Sequence, residues 1–274
     1  VVRIHKDAKN MLWNVVPNRK SFACNGKRNV QSVMMNDVFV WKKRKISENY
    51  KLKQKKMKRS EINAAAAEAR EFFAEHQFYL PVWVDWSLQE WKNAGVECDE
   101  IRNNSLGWDV TDFGKGDFNK EGLTLITIRN GNAKLDNKVY CEKIMYVKEN
   151  QVTPIHFHWK KMEDIINRGG GELCMKLWKA NENEEITQED VVMQIDGVST
   201  VIKAGEVLRL KPGQSISFTP YVYHTFWAEN GSCMVGEVST VNDDANDINE
   251  IQNSSENTDT TIGPEIKDIN AITT

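Results

Sequence analysis

The residues best suited to metal binding or catalysis lie in the segment PIHFHWKKMEDIINRGGG, which contains His156, His158 and Glu163. Successive side chains of a β-strand alternate between faces, so His156 and His158 should point to the same side. A carboxylate five residues further on, beyond a turn, can lie beside them. Two imidazoles and a carboxylate on one inner face make a divalent metal site with open positions. His224, in the later segment FTPYVYHTFW, is available as a fourth ligand.

The distribution of histidines favours a metal site. A single histidine in a strand is more often a hydrogen-bonded residue than a ligand, but the chain has five histidines and three lie in these two segments. His5 and His76 lie elsewhere, where solvated or helix-capping roles suffice. The ligand types leave Mn²⁺, Zn²⁺, Co²⁺ and Fe²⁺ open. Non-haem iron oxygenases also bind their metal with two histidines and a carboxylate, so these ligands leave a dioxygenase open as an alternative function.

Periodicity and turn signals predict the elements that position these residues. Apolar residues at three- and four-residue steps after Ser60, a candidate N-cap, predict an amphipathic helix. Ser87 and Glu90 have capping-box spacing, which predicts a second short helix. From about residue 122 to residue 241, short runs rich in Val, Ile, Thr, Phe and Tyr predict an antiparallel sandwich or barrel. The turn signals between these runs are Asn130-Gly131, Asp196-Gly197, Pro212-Gly213 and Asn230-Gly231.

The formal net charge of −3 conceals two oppositely charged regions. Residues 1–56 contain 15 Lys or Arg and 3 Asp or Glu, and the remaining residues contain 21 basic and 36 acidic side chains. Such a basic arm can contact phosphates, which makes a nucleic-acid-binding module an alternative. The arm carries no helix-turn-helix, zinc-finger or RNA-binding motif, so we favour an N-terminal extension outside the functional unit. Residues 246–274 are acidic and lack aromatic residues, and we expect a flexible tail there.

The cysteines and the hydropathy of the sequence indicate the cellular compartment in which the protein is expected. The five cysteines are scattered, with no CxxC pair, which argues against a disulfide framework or a cysteine-type zinc site. No run approaches the roughly 18 apolar residues of a membrane span, and the N-terminal residues lack the apolar core of a signal peptide. We therefore expect a cytoplasmic protein without a membrane partner.

The two histidine segments resemble the paired motifs of the cupin superfamily. The first has H-x-H, a glutamate and a glycine, and the second, GQSISFTPYVYH, has a proline before its histidine. Val222 stands where the second motif usually has glycine. The gap between the motifs is also long for a cupin, which predicts an insertion around residues 180–205.

The resemblance extends beyond the superfamily over about residues 57–245. Five segments closely resemble the bacterial D-lyxose ketol-isomerase family: MKRSEINAAAAEAREFFAEHQFYLP from residue 57, LGWDVTDFGKGDF from 106, YCEKIMYV from 140, HFHWKKMEDIINRGGG from 156 and GEVSTVNDD from 236. The resemblance implies a mainly β cupin fold, a double-stranded β-helix or jelly-roll barrel, with N-terminal helices. It implies a manganese-dependent homodimer that interconverts D-lyxose and D-xylulose, and also D-mannose and D-fructose.

Within that reaction, the hypothesis assigns His156, His158, Glu163 and His224 to the metal. Aldose–ketose isomerisation moves a hydrogen between C1 and C2, and a carboxylate can carry this proton through a cis-enediol. Glu237 is the candidate base and Lys143 the group that polarises or protonates a sugar oxygen. Glu142 competes with Lys143 for the inward position, because adjacent strand residues face opposite ways. The candidate sugar-binding residues are Lys161, Asp112 and Trp159. A non-catalytic sugar-binding cupin is a further alternative.

Overall fold

The computed structural model describes residues 57–132, 134–243 and 247–250. The predictions for the basic arm, residues 1–56, and for the part of the acidic tail after residue 250 lie outside the described residues. The helices are α1 (Arg59–Glu75), α2 (Leu88–Asn93) and α3 (Asp99–Asn103), with 3₁₀ helices at Val82–Asp85 and Val96–Cys98. The strands are β1 (Gly107–Thr111), β2 (Leu123–Arg129), β3 (Tyr140–Val147), β4 (His156–Phe157), β5 (Glu163–Lys179), β6 (Val191–Ile195), β7 (Val198–Ile202), β8 (Val207–Leu210), β9 (Ser215–Phe218), β10 (Val222–Thr240) and β11 (Asn249–Glu250).

Both predicted helices are present, although the first begins earlier than expected. Lys58 is the N-cap of α1, so the prediction of Ser60 as N-cap is wrong. The Glu61 carboxylate accepts a hydrogen bond from the Lys58 backbone N–H at 2.6 Å, so an acidic side chain in the first turn satisfies a helix-end donor. The capping box of Ser87 and Glu90 at the start of α2 is confirmed.

The strands form an antiparallel arrangement in the order β1-β2-β3-β10-β5-β9-β6-β7. In addition, β4 pairs with β10 and β11, and β8 pairs with β5. The prediction of a mainly antiparallel β fold preceded by helices is confirmed, while β1 lies before the region in which strands were predicted. The stretch assigned to an insertion contains the hairpin β6–β7, whose strands are joined through the predicted turn at Asp196-Gly197.

Two strands are much longer than the short runs that the sequence suggested. β5 has 17 residues and β10 has 19, and they pair with each other along both halves, with an irregularity between Glu229 and Cys233. The predicted turn at Asn230-Gly231 is therefore a bend inside β10. Gly170 lies opposite this bend with φ +92°, and a Cβ there would overlap the carbonyl oxygen of Ser232. Only glycine fits this close backbone approach without displacing a strand.

The apolar core has two main clusters. The larger one lies along β3, β5, β9 and β10 and continues into the hairpin β6–β7. In the second, α1 packs Ala66, Ala69 and Phe73 against β1, β2 and β3. The rings of Phe73 and Trp108 are stacked with centroids 6.3 Å apart. The strands that carry the candidate site are thus supported by apolar packing from the large cluster and, on β3, also from α1.

Two further expectations concern cysteines and membrane spans. The four cysteines within the described ranges are free and buried, which agrees with the absence of a disulfide framework there. No helix in the described part of the chain is long and apolar enough to cross a membrane.

Candidate metal centre and active site

Three histidines converge at the short strand β4. His156 lies in β4, directly opposite His224 of β10, and His158 follows one residue after the end of β4. One ligand atom from each of the three side chains lies within 4.8 Å of the other two. The sequence prediction that His224 joins the two histidines of the first segment therefore agrees with the geometry.

Backbone carbonyls orient all three imidazole rings. Because a carbonyl oxygen can only accept a hydrogen bond, each Nδ1 must carry the proton, which leaves the Nε2 lone pair free to bind a metal. The accepting carbonyls belong to Pro154 for His156 at 2.9 Å, to Asp247 for His158 at 2.7 Å and to Val222 for His224 at 3.0 Å.

Glu163 adds a carboxylate to this cluster. It is the first residue of β5, and its Oε1 lies 3.3 Å from Nε2 of His224, while Oε2 lies 3.7 Å from Nε2 of His158. With bonds of about 2.1 Å to a divalent ion, two ligands at right angles lie about 3 Å apart, so these separations suit a shared ion. A set of three imidazole nitrogens and one carboxylate is suited to a divalent transition metal.

Burial sets the protonation states of these ligands. Burial, reinforced by His224, lowers the pKa of His156 to about 3. Burial lowers the pKa of His158 and of His224 to about 4. Burial acts to raise the pKa of Glu163, but the nearby Lys161 and the histidines lower it well below its usual range. At neutral pH the site thus holds neutral imidazoles and an ionised carboxylate, the forms that bind a metal.

A second buried group of charges adjoins the ligands. Glu237 on β10 lies directly opposite Lys143 on β3, and Lys143 Nζ is 3.3 Å from Glu237 Oε1. Lys161 Nζ lies between the two carboxylates, 3.1 Å from Glu237 Oε1 and 2.8 Å from Glu163 Oε2. The side chains of Lys143, Lys161 and Glu237 are at most 6% exposed. Glu142 faces the other way and pairs with Arg129, so Lys143 holds the inward position.

The remaining two predicted site residues have structural partners. Both carboxylate oxygens of Asp112 accept hydrogen bonds from the backbone, at 3.0 Å from Gly114 N and 3.2 Å from Gly116 N, so Asp112 caps the turn after β1. The Trp159 indole donates to Glu184 Oε1 at 2.8 Å. Sugar contacts by Asp112 and Trp159 stay predictions.

Two residues of the site were not found from the sequence. Asn242 Oδ1 accepts a hydrogen bond from Lys143 Nζ at 2.6 Å. Asp247 contributes its carbonyl to His158 and its carboxylate to the backbone of Lys160 and Lys161. Both follow β10 in the polar stretch VNDDAND, where the sequence suggested the end of the folded domain. No local periodicity marks them, because each acts on residues far away in the chain.

Most of this chain is similar to a known family and to known proteins. A family model described as D-lyxose isomerase matches residues 57–261. The chain belongs to the D-lyxose isomerase family. A D-lyxose/D-mannose isomerase of Escherichia coli O157:H7 is 48% identical over 201 residues, which cover 72% of this chain and 88% of the relative. The corresponding protein of Serratia proteamaculans is 46% identical over 196 residues, or 70% of this chain and 86% of the relative.

Two solved structures of L-ribose isomerases are similar to this member of the D-lyxose isomerase family. L-ribose isomerase of Cellulomonas parahominis, with no ligand, aligns at 16% identity and a TM-score of 0.48, covering 73% of this chain and 95% of that one. L-ribose isomerase of Acinetobacter sp. DL28 in complex with L-ribose aligns at 16% identity and a TM-score of 0.47, covering 69% and 83%. The antiparallel strands, preceded by helices, confirm the predicted mainly β fold with N-terminal helices.

Proposed function

We propose that the chain is a metal-dependent aldose–ketose isomerase that interconverts D-lyxose and D-xylulose, and also D-mannose and D-fructose. The observation that carries the proposal is the buried Glu237, held between two buried lysines next to three neutral histidines. Family membership and the names of the two bacterial relatives, both D-lyxose/D-mannose isomerases, support an isomerase that acts on D-lyxose and D-mannose. Burying two carboxylates and two ammonium groups is costly, which favours a catalytic use over a purely structural one.

The proposed metal is held by His156, His158, His224 and Glu163. Their fit rests on the three free Nε2 lone pairs, the spacing of the Glu163 oxygens and the low pKa of each histidine. A divalent ion bound there would supply Lewis acidity toward the two sugar oxygens on C1 and C2. Manganese is the metal that we propose, and elemental analysis of the purified protein tests this choice.

Glu237 is the proposed proton carrier. Its carboxylate would remove the proton from C2 of the aldose and return it to C1 of the resulting cis-enediol, which yields the ketose and regenerates the carboxylate. Lys143, whose ammonium group donates a hydrogen bond to Asn242, would donate a second one to a sugar oxygen and transfer the proton between the two sugar oxygens. Lys161, whose ammonium group bridges the carboxylates of Glu163 and Glu237, would also hold a sugar hydroxyl. Asp112 and Trp159 are proposed as further sugar contacts.

An anaerobic assay with the manganese-loaded protein tests this function against its alternatives. We expect conversion of D-lyxose to D-xylulose, with deuterium from D₂O entering the exchanged carbon position. In a separate aerobic assay of the Fe²⁺-loaded protein, oxygen uptake without sugar conversion would instead indicate a dioxygenase. Sugar binding without hydrogen exchange would indicate a non-catalytic sugar-binding protein. Either result would overturn the proposed reaction.

The assembly proposed for this chain is a homodimer. This proposal comes from the family resemblance, and sedimentation equilibrium of the purified protein tests it. A monomer at micromolar concentration would overturn it.

A further inference from the structure

The last described segment, Asp247–Glu250, returns from the end of β10 to the metal centre. Its strand β11 pairs with β4, so that Asn249 lies opposite Phe157 and Glu250 lies opposite His156. Asp247, which precedes the strand, is buried. The family match over residues 57–261 includes this segment.

Asp247 accepts three hydrogen bonds, one from His158 and two from the backbone of Lys160 and Lys161. Its Oδ1 accepts from the Lys160 backbone N–H at 2.8 Å and its Oδ2 from the Lys161 backbone N–H at 2.9 Å. Its backbone carbonyl accepts from His158 Nδ1 at 2.7 Å. One residue therefore fixes both the turn that carries Lys161 and the ring of a proposed metal ligand.

The three histidines differ in where their orienting carbonyl comes from. His156 and His224 each use the carbonyl of the residue two positions earlier in the same segment. His158 uses Asp247, which is 89 residues away. The orientation of His158 therefore depends on the docking of a distant segment, whereas the other two rings are held locally.

A separate contact docks the same segment. Asn249 Nδ2 donates to Glu184 Oε2 at 2.9 Å, and Glu184 also accepts hydrogen bonds from Trp159 and, through its carbonyl, from Tyr223. Glu184 thus ties β11 to the segment after β4 and to β10. The position of Asp247 is consequently fixed from more than one side.

We propose that Asp247 is a positioning residue of the metal centre, a role that rests on the proposed function insofar as His158 binds the metal. Its carbonyl holds His158 in the Nδ1–H form with Nε2 turned toward the other ligands. Its carboxylate holds the Lys160–Lys161 backbone, so that the Lys161 ammonium reaches both Glu163 and Glu237. Hydrogen bonds of this kind from outside the ligand set orient ligands and raise metal affinity.

Metal binding by the metal-depleted full chain is the first test. We expect Asp247→Ala to weaken Mn²⁺ binding in calorimetry by about 10- to 100-fold, because losing the carboxylate frees the Lys160–Lys161 backbone and leaves the backbone carbonyl that orients His158 unanchored. Asp247→Asn should weaken binding less, because one acceptor oxygen remains. Asp164→Ala and Asp164→Asn are the matched controls, since Asp164 follows Glu163 directly but is exposed. Both controls should bind Mn²⁺ as the unchanged protein does.

The tautomer of His158 is the second measurement, because a merely structural role would not single out this ring. In ¹⁵N-histidine spectra of the metal-depleted protein, we expect Asp247→Ala to shift His158 from the Nδ1–H form toward a mixture of tautomers, because the carbonyl at position 247 is no longer held in place by the carboxylate contacts with Lys160 and Lys161. His156 and His224 serve as internal references and should keep the Nδ1–H form. If Asp247→Ala does not fold, Asp247→Asn provides the same comparison.

Two outcomes would overturn the role of Asp247. One is unchanged Mn²⁺ affinity together with an unchanged His158 spectrum in the Asp247 variants. The other is an equal change in all three histidines, which would indicate a general loosening of the fold. Absence of Mn²⁺ binding by the unchanged protein would count against the proposed function instead, and the His158 spectrum would still decide the role of Asp247.

Discussion

Glu237 is the residue on which the proposed chemistry depends most directly. We expect Glu237→Gln to lower isomerase turnover by about 10²- to 10⁴-fold, the usual range for a lost general base. Its metal content should stay unchanged, because Glu237 is outside the proposed ligand set. Steady-state kinetics and elemental analysis of the same preparation measure the two effects.

The control for this change is Glu142→Gln. Glu142 lies next to Lys143 on β3 but faces outward and pairs with Arg129, so its loss should leave turnover close to that of the unchanged protein. Full turnover in Glu237→Gln with its metal bound would show that another group carries the proton.

The protonation of the three histidines makes a separate prediction about stability. In an unfolded chain a histidine titrates near pH 6.5, whereas in the folded metal-free protein the pKa is about 3 for His156 and about 4 for His158 and His224. Below about pH 6.5 the unfolded state therefore binds protons that the folded state does not bind. The free energy of unfolding should fall as the pH is lowered, by up to about 1.4 kcal/mol per pH unit for each histidine.

Glu163 acts in the same direction at lower pH. Its folded-state pKa lies below the unfolded value, so its contribution to stability is present above about pH 4.5 and is lost as the pH falls further.

Urea unfolding of the metal-depleted protein between pH 7.5 and 4.5 measures how steeply the free energy of unfolding changes with pH. His156→Gln should reduce this slope by about a third, since one of three neutral histidines is removed. A free energy of unfolding that does not change between pH 7 and pH 5 would contradict the prediction.

At the scale of elements, the bend shared by β5 and β10 decides whether one strand can serve both halves of the site. β10 carries His224 before the bend and Glu237 after it, so the bend sets the separation between the metal ligands and the base. Glycine at position 170 permits the bend because Ser232 of β10 approaches its Cα closely.

A pair of glycine substitutions separates backbone strain from steric overlap. Gly170 and Gly213 have nearly equal φ angles of +92° and +94°, so alanine at either position should carry a similar cost for the positive φ of about 1 kcal/mol. A Cβ at Gly213 would meet no atom within 4 Å, whereas at Gly170 it would overlap the Ser232 carbonyl. We expect Gly170→Ala to destabilise the protein by about 1–3 kcal/mol more than Gly213→Ala. Urea unfolding compares the two variants, and equal losses would argue against the close approach.

The elements also explain what the sequence could and could not predict. His156 and His158 were predictable because strand alternation is a local rule, and Ser87 with Glu90 because a capping box has fixed spacing. Asn230-Gly231 was predicted as a turn between two strands, because asparagine followed by glycine is compatible both with such a turn and with a bend inside one strand. Only the pairing of β10 with β5 on both sides of Asn230 shows that it is a bend. Asn242 and Asp247 were missed because their partners lie 99 and up to 89 residues away, and polar residues after a strand resemble a solvated end.

At the scale of the whole molecule, the described site and both main core clusters lie within residues 57–250. The family match covers residues 57–261 and leaves out the basic arm, which carries a net charge of +12. The functional domain predicted from the sequence, residues 57–245, ends before Asp247. The contacts of Asp247 and Asn249 with the site are the reason to retain the chain beyond residue 245, and the family match sets the end of a shortened chain at residue 261.

A chain shortened to residues 57–261 should therefore fold, bind metal and isomerise sugar like the full chain. We expect its turnover to lie within about a factor of two of the full chain, because the described site and both main core clusters are retained. A chain that ends at residue 245 provides the contrast, since it lacks Asp247 and should bind Mn²⁺ about 10- to 100-fold more weakly. Steady-state kinetics and calorimetry compare the three chains. If the 57–261 chain loses activity while the full chain is active, residues outside the family match contribute to the site. If the chain ending at residue 245 binds Mn²⁺ as tightly as the full chain, the segment around Asp247 does not contribute to the site.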